Sequence, residues 1–269
     1  MLHFRIGCVA LFVIACSGGS NSPMNEDVDA AISGDDAAQQ NGDDSSTPKS
    51  DAAGDANMQG DANPPKGLAT LGSLVVLGDS MSDGGGQGPF YYNLLKNDLT
   101  TKYGAIQYVN NAQSGSKTGS LSGQVDGLPK SLKGPVAVCI TSGGNDMKAA
   151  LPLIVLNQDA AARAQMGANI QSALGKLLAP NRFGQGVQVY VFEANIYDAS
   201  DGKGDYGSHN CAFGNGLPAI PSDPYFANWN GVIATEVNAK GQTVTDIHKH
   251  FLDLIRFRRH SRSFPMLLS

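Results

Sequence analysis

The chain has 269 residues and a formal net charge of −5, with 41% hydrophobic and 16% charged residues. That charge is unevenly held: residues 17–66 carry ten acidic side chains against two lysines, while residues 67–269 carry 16 basic against 14 acidic ones. The balanced part has no basic face for nucleic acid, and its roughly 200 residues suffice for one domain with a full core.

In chain order, His3 and Arg5 precede an apolar run from Ile6 to Ala15. It is too short to span a bilayer comfortably and is followed by small residues, so residues 1–15 read as a secretory signal. The end of the run, Val13-Ile14-Ala15-Cys16, resembles the lipobox of bacterial lipoproteins. The resemblance implies that Cys16 is lipidated and that the membrane is a partner through this N-terminal lipid. Ser17 then fits export to the bacterial envelope, at the outer membrane or cell surface, over inner-membrane retention. The rest of residues 16–66 is acidic, small and polar, and reads as a disordered tether.

Residues 67–250 form the candidate folded domain. Strands are predicted at Leu74–Leu77, Ile106–Val109, Val136–Ile140, Val187–Phe192 and Val244–Ile247, most of them apolar at consecutive positions, as strands covered on both faces should be. Helices are predicted at about 88–102, 119–132, 158–179 and 223–239, the third with apolar spacing at Ile170, Leu174, Leu177 and Leu178. Strand-helix alternation of this kind predicts an α/β domain with a parallel sheet, and chemistry gathers at the carboxyl ends of such strands. Cys139 and Cys211 could pair in an oxidising space, but Cys139 reads as a buried strand residue.

The polar clusters lie at those strand ends. Gly78-Asp-Ser-Met-Ser-Asp-Gly-Gly-Gly86 follows the first strand, Asn110-Asn-Ala-Gln-Ser-Gly115 the second and Gly143-Gly-Asn-Asp146 the third. Together they resemble three sequence blocks of the GDSL or SGNH hydrolases, over Ser73 to about His250. The resemblance implies a three-layer, flavodoxin-like parallel sheet of about five strands. It also implies a serine esterase that needs no cofactor and no metal, acting on an ester substrate. Ser80 is then the nucleophile and supplies one oxyanion N–H, Gly115 supplies a second N–H, and Asn145 supplies its side-chain amide. These residue types suit the task. A serine past a buried strand exposes its Oγ, a glycine amide can be approached closely, and an Asn amide donates without carrying a charge. Asp79 and Asp146 read as braces that accept backbone N–H groups.

Other motifs fail. Gly115-Ser-Lys-Thr118 lacks the earlier glycine of a phosphate loop, Asp198-Ala-Ser-Asp-Gly-Lys-Gly-Asp205 has glycines where calcium ligands belong, and Ser80 lacks the Gly-x-Ser-x-Gly of α/β-hydrolases.

The family's Asp-x-x-His block, which carries the base, is absent. Asp246, His248, His250 and His260 do not have its spacing, and the helix that should follow is missing from the expected fold. Residues 251–269 form an atypical tail holding four of the seven arginines, Arg256, Arg258, Arg259 and Arg262. Three readings of it stay open: a shifted reading frame, a divergent ending in which His250 or His248 is the base, or a basic helix on a membrane or partner. His250 is the tentative base. The expectation is therefore a lipid-anchored serine esterase, or one inactivated by truncation. The alternative is a non-catalytic surface lipoprotein that binds an acyl or sugar ligand in a relict pocket.

Overall fold

The computed structural model describes residues 68–84, 89–198 and 222–252. Five strands form one sheet: β1 (Ser73–Gly78), β2 (Gln107–Asn110), β3 (Val136–Thr141), β4 (Val189–Ala194) and β5 (Thr243–Thr245), in the order β2-β1-β3-β4-β5. Every pairing is parallel, with Val76 set between Asn110 and Cys139 and Phe192 between Cys139 and Thr243. This is the expected α/β fold with the flavodoxin-like strand order. The order reverses between β1 and β3, and in open α/β sheets ligands bind beside the carboxyl ends of the strands at such a switch point.

All six residues of β1 are buried, because helices cover both faces. On one face, Val75, Leu77, Val138, Ile140 and Val191 pack against α3 (Leu121–Asp126), α6 (Ala160–Leu177) and α7 (Ser222–Ala239). From α6 come Met166, Ile170, Leu174 and Leu177, and from α7 Phe226, Trp229, Ile233 and Val237, each set at helical spacing. Trp229 is fully buried, and its indole N–H donates to the buried Asp159 carboxylate at 2.7 Å. On the other face, Leu74, Val76 and Ala137 meet α2 (Tyr91–Tyr103) through Tyr92, with Leu95 and Leu99 packed at the side. Each fully buried Leu or Ile stabilises the fold by about 1.5–3 kcal/mol.

Four departures from the sequence expectation have local causes. The predicted helix 119–132 is a single 3-10 turn (Thr118–Ser120) followed by α3, which stops at Asp126 because Gly127 and Pro129 follow. Short helices α1 (Ser80–Asp83), α4 (Gly144–Ala149) and α5 (Leu151–Val155) occupy what reads as loop. The last strand ends at Thr245 instead of Ile247. Asp246 Oδ1 accepts the Lys249 N–H at 3.0 Å, and residues 247–252 are helical. Cys139 lies on β3 as expected but is only partly buried, on the α2 face.

The signal segment, Cys16 and the tether lie outside the described residues, as do Cys211 and residues 253–269 of the tail. Among the described residues, no helix is long and apolar enough to cross a membrane.

Candidate active site

The carboxyl ends of β1, β2 and β3 carry the three glycine-bearing turns. Gly78 ends β1 with φ +121°, and a Cβ there would overlap the Thr141 carbonyl oxygen, so β1 and β3 can close only around glycine. The next residue turns the chain. Asp79 donates its N–H to the Thr141 carbonyl at 2.9 Å, while its Oδ1 accepts the Met81 N–H and the Thr141 hydroxyl, each at 3.0 Å. Burial raises the Asp79 pKa above the ordinary carboxylate value, with these two donors working against the shift. The turn so capped presents Ser80, exposed, as the first residue of α1. Ser82, one turn in, is buried, and its Oγ is bonded to Tyr91 Oη at 2.6 Å and Thr141 Oγ1 at 2.7 Å.

The loop after β2 is tied to this turn. Gln113 donates its N–H to the Gly78 carbonyl, Ser114 donates its N–H to Asp83 Oδ2, and Ser116 donates its hydroxyl to the Gly78 carbonyl, all at 2.9 Å. Between them lies Gly115, exposed, with φ +76° and open space where a Cβ would stand. Conformation, not crowding, calls for glycine at this point. The third turn joins the second: Asn145 Nδ2 donates to the Ser116 carbonyl at 2.9 Å. Asp146 takes the Thr118 N–H at 2.9 Å and the Thr118 hydroxyl at 2.7 Å, and Asn169 of α6 donates to that hydroxyl oxygen at 3.1 Å.

Under the third turn lies a carboxyl that sequence reasoning missed. Glu193, on β4, is fully buried, and its Oε1 accepts the Ser142 hydroxyl at 3.1 Å. Among the described residues, its Oε2 has no hydrogen-bond partner. Burial pushes its pKa up to about 8, against the Ser142 hydrogen bond, so the group is mostly protonated at neutral pH. The signal was there: Val189, Val191 and Glu193 alternate onto one face of β4, but an acid reads as the end of a strand.

Ser80, Gly115 and Asn145 are therefore brought into one web. The N–H groups of Ser80 and Gly115 donate in none of the hydrogen bonds found among the described residues, and one proton of Asn145 Nδ2 is uncommitted. The chemistry open to such a site is the binding of a developing oxyanion beside a serine hydroxyl.

Among the described residues, the two histidines, His248 and His250, stand apart. They follow β5, three strand spacings from β1, or about 14 Å. His248 is held at the β4–β5 edge: Asn195 Oδ1 accepts its backbone N–H at 2.9 Å, its Nδ1 is 3.0 Å from the Ile196 carbonyl oxygen, and its ring packs on Phe226. His250 is exposed, and among the described residues its imidazole makes no hydrogen bond. No hydrogen bond joins Ser80 to either imidazole. Among the described residues, no group of three or more His, Cys, Asp or Glu side chains is placed to hold a metal ion.

Several solved structures are similar in fold at low identity. The acetyl xylan esterase AlAXEase is 16% identical over 70% of this chain and 84% of its own, with a TM-score of 0.48. The acetyl xylan esterase Axe2 from Geobacillus stearothermophilus is 16% identical over 70% and 82%, with a TM-score of 0.46. An extracellular lipase from Streptomyces rimosus is 19% identical over 67% and 82%, with a TM-score of 0.40. No curated protein matches the chain significantly in sequence. The GDSL-like lipase/acylhydrolase model, however, matches residues 74–210, just over half of the sequence and all three turns. The chain thus belongs to the GDSL-like lipase/acylhydrolase family of ester hydrolases.

Proposed function

We propose that the protein is an extracytoplasmic, lipid-anchored serine esterase that cleaves carboxylic esters through an acyl-enzyme on Ser80. The observation that carries this is the convergence of three turns: the loop bearing Gly115 is bonded both to Gly78, two residues before Ser80, and to Asn145. Ser80 Oγ attacks the ester carbonyl carbon, its proton passes to a base, and the carbonyl electrons move onto oxygen. The N–H groups of Ser80 and Gly115 and the free Asn145 amide proton receive that oxyanion. Collapse breaks the C–O bond and releases the alcohol with a proton, and water then hydrolyses the acyl-serine by the reverse series.

For the base the chain offers His250, whose imidazole is uncommitted, and His248, whose Nδ1 is engaged by Ile196. His250 is taken as the base because its imidazole is exposed and uncommitted, and His248, with Nε2 still free, is the alternative. The anchor is a lipid on Cys16, as its lipobox resemblance implies. Metabolic labelling with palmitate should be lost in Cys16→Ser.

A fluorophosphonate tests the nucleophile. Stoichiometric labelling that disappears in Ser80→Ala supports the proposal, and an unlabelled wild type refutes it. A second reading is favoured by the separation of both histidines from Ser80: a surface lipoprotein that binds an acyl or sugar group without turning it over. Saturable binding of a short-chain ester with no hydrolysis would establish that reading, and hydrolysis dependent on His250 would end it.

A further inference from the structure

Gln124 lies on α3, outside all three glycine-bearing turns, and is 1% exposed. Its amide reads both polar groups of one residue. Oε1 accepts the Gly78 N–H at 2.8 Å, and Nε2 donates to the Gly78 carbonyl at 2.8 Å. The same Nε2 donates to Ser116 Oγ at 3.2 Å, while Ser116 Oγ donates its own proton to the Gly78 carbonyl. The amide orientation is fixed by chemistry: turned over, it would set two donors face to face at Gly78 N and two acceptors at Gly78 O. The Asn111 amide anchors α3 in turn by donating to the Gln124 carbonyl at 2.6 Å.

We propose that Gln124 is a positioning residue for the ester hydrolysis, a clamp that holds the Ser80 turn and the Gly115 loop in one fixed relation. The peptide after Gly78 is held at both ends, its oxygen by Gln113, Ser116 and Gln124 and its N–H by Thr141. The following peptide carries the Ser80 N–H. On the other loop, Ser116 sits next to Gly115 and is tied to Gln124 through Oγ and to Asn145 through its carbonyl. Gln124 thus bonds both segments that bear the free N–H groups, though it touches neither Ser80 nor Gly115. Two donors act together on one oxyanion only while their separation is fixed, and a shift of about 1 Å can lower a rate about 100-fold. The inference rests on the assignment of Ser80 as nucleophile.

The test uses Gln124→Met, similar in length but unable to bond, and Gln124→Glu. In the folded proteins, Gln124→Met should slow both fluorophosphonate labelling of Ser80 and kcat for a short-chain aryl ester by about 10- to 100-fold, with KM changed less than about threefold. Gln124→Glu should be rescued at acid pH, where the protonated carboxyl accepts from Gly78 N and donates to Gly78 O. The rescue should vanish as pH rises and the carboxylate meets the carbonyl oxygen. Amide exchange should quicken in segments 78–80 and 113–116 and stay unchanged in α6. Labelling and kcat within twofold of wild type in Gln124→Met, with Ser80→Ala inert, overturn the clamp and leave the nucleophile standing. An unlabelled wild type removes the nucleophile, and faster exchange in Gln124→Met would then reduce Gln124 to a brace of the fold.

Discussion

The carboxyl ends of β1, β2 and β3 and those of β4 and β5 belong to the same sheet but are built differently. At the first, Gly78, Asp79, Ser116, Gln124, Thr141 and Asn145 bond one another across three loops, while the Ser80 and Gly115 N–H groups stay uncommitted among the described residues. At the second, His248 is tied to the β4 exit, and the His250 imidazole has no hydrogen bond among the described residues. The contrast teaches that oxyanion binding needs donors fixed before reaction, whereas a base has only to arrive with a lone pair. In the proposed esterase, the oxyanion donors are preorganised, and the base is the part still to be brought to Ser80.

Each prediction can break or sharpen that contrast. The largest effect belongs to Ser80→Ala, which should lower ester turnover by about 10⁴- to 10⁶-fold in a steady-state assay with an intact melting temperature. Next comes the far side. His250→Ala should lower turnover by about 10³-fold or more, while His248→Ala, which removes a ring packed on Phe226, should show mainly as a lower melting temperature. Equal kinetic losses would erase the distinction between the two histidines. Asn145→Ala should reduce kcat by about 10²- to 10³-fold with little change in KM, measured on the same ester, as expected for a donor used in the transition state.

The last prediction is thermodynamic rather than kinetic and concerns Glu193. Its folded pKa of about 8 lies above the ordinary value of 4.5, so the folded state holds a proton that the unfolded state releases across that window. Stability should therefore fall as pH rises from about 4.5 to 8. Melting curves between pH 5 and 8.5 should show a shallower decline for Glu193→Gln than for wild type. An identical slope would mean that Glu193 does not stay neutral beneath the Ser142 turn.

Much of this architecture is legible in sequence because two signals are strong. Strands buried on both faces must be apolar at consecutive positions, which marks β1 and β3. Glycine is demanded by close approach at Gly78 and by a positive φ at Gly115 and Gly143. The loops carrying Ser80, Gly115 and Asn145 follow from these. What escapes has no periodic or compositional mark. Gln124 is one polar residue on a two-turn helix, and its value lies in two hydrogen bonds to a residue 46 positions away. Glu193 is an acid that stays in a strand only by remaining protonated. α1 and α4 are too short for a helical repeat to register, and Asp246 stops β5 through a side-chain cap that competes with an apolar pattern.

The most direct test of the central claim is a crystal structure of the protein after reaction with a fluorophosphonate. The phosphoryl oxygen is predicted to lie within about 3.1 Å of the Ser80 N, the Gly115 N and Asn145 Nδ2, with phosphorus bonded to Ser80 Oγ. An adduct whose oxygen points to solvent, or one formed on another residue, would contradict the convergence of the three turns on a single hydroxyl.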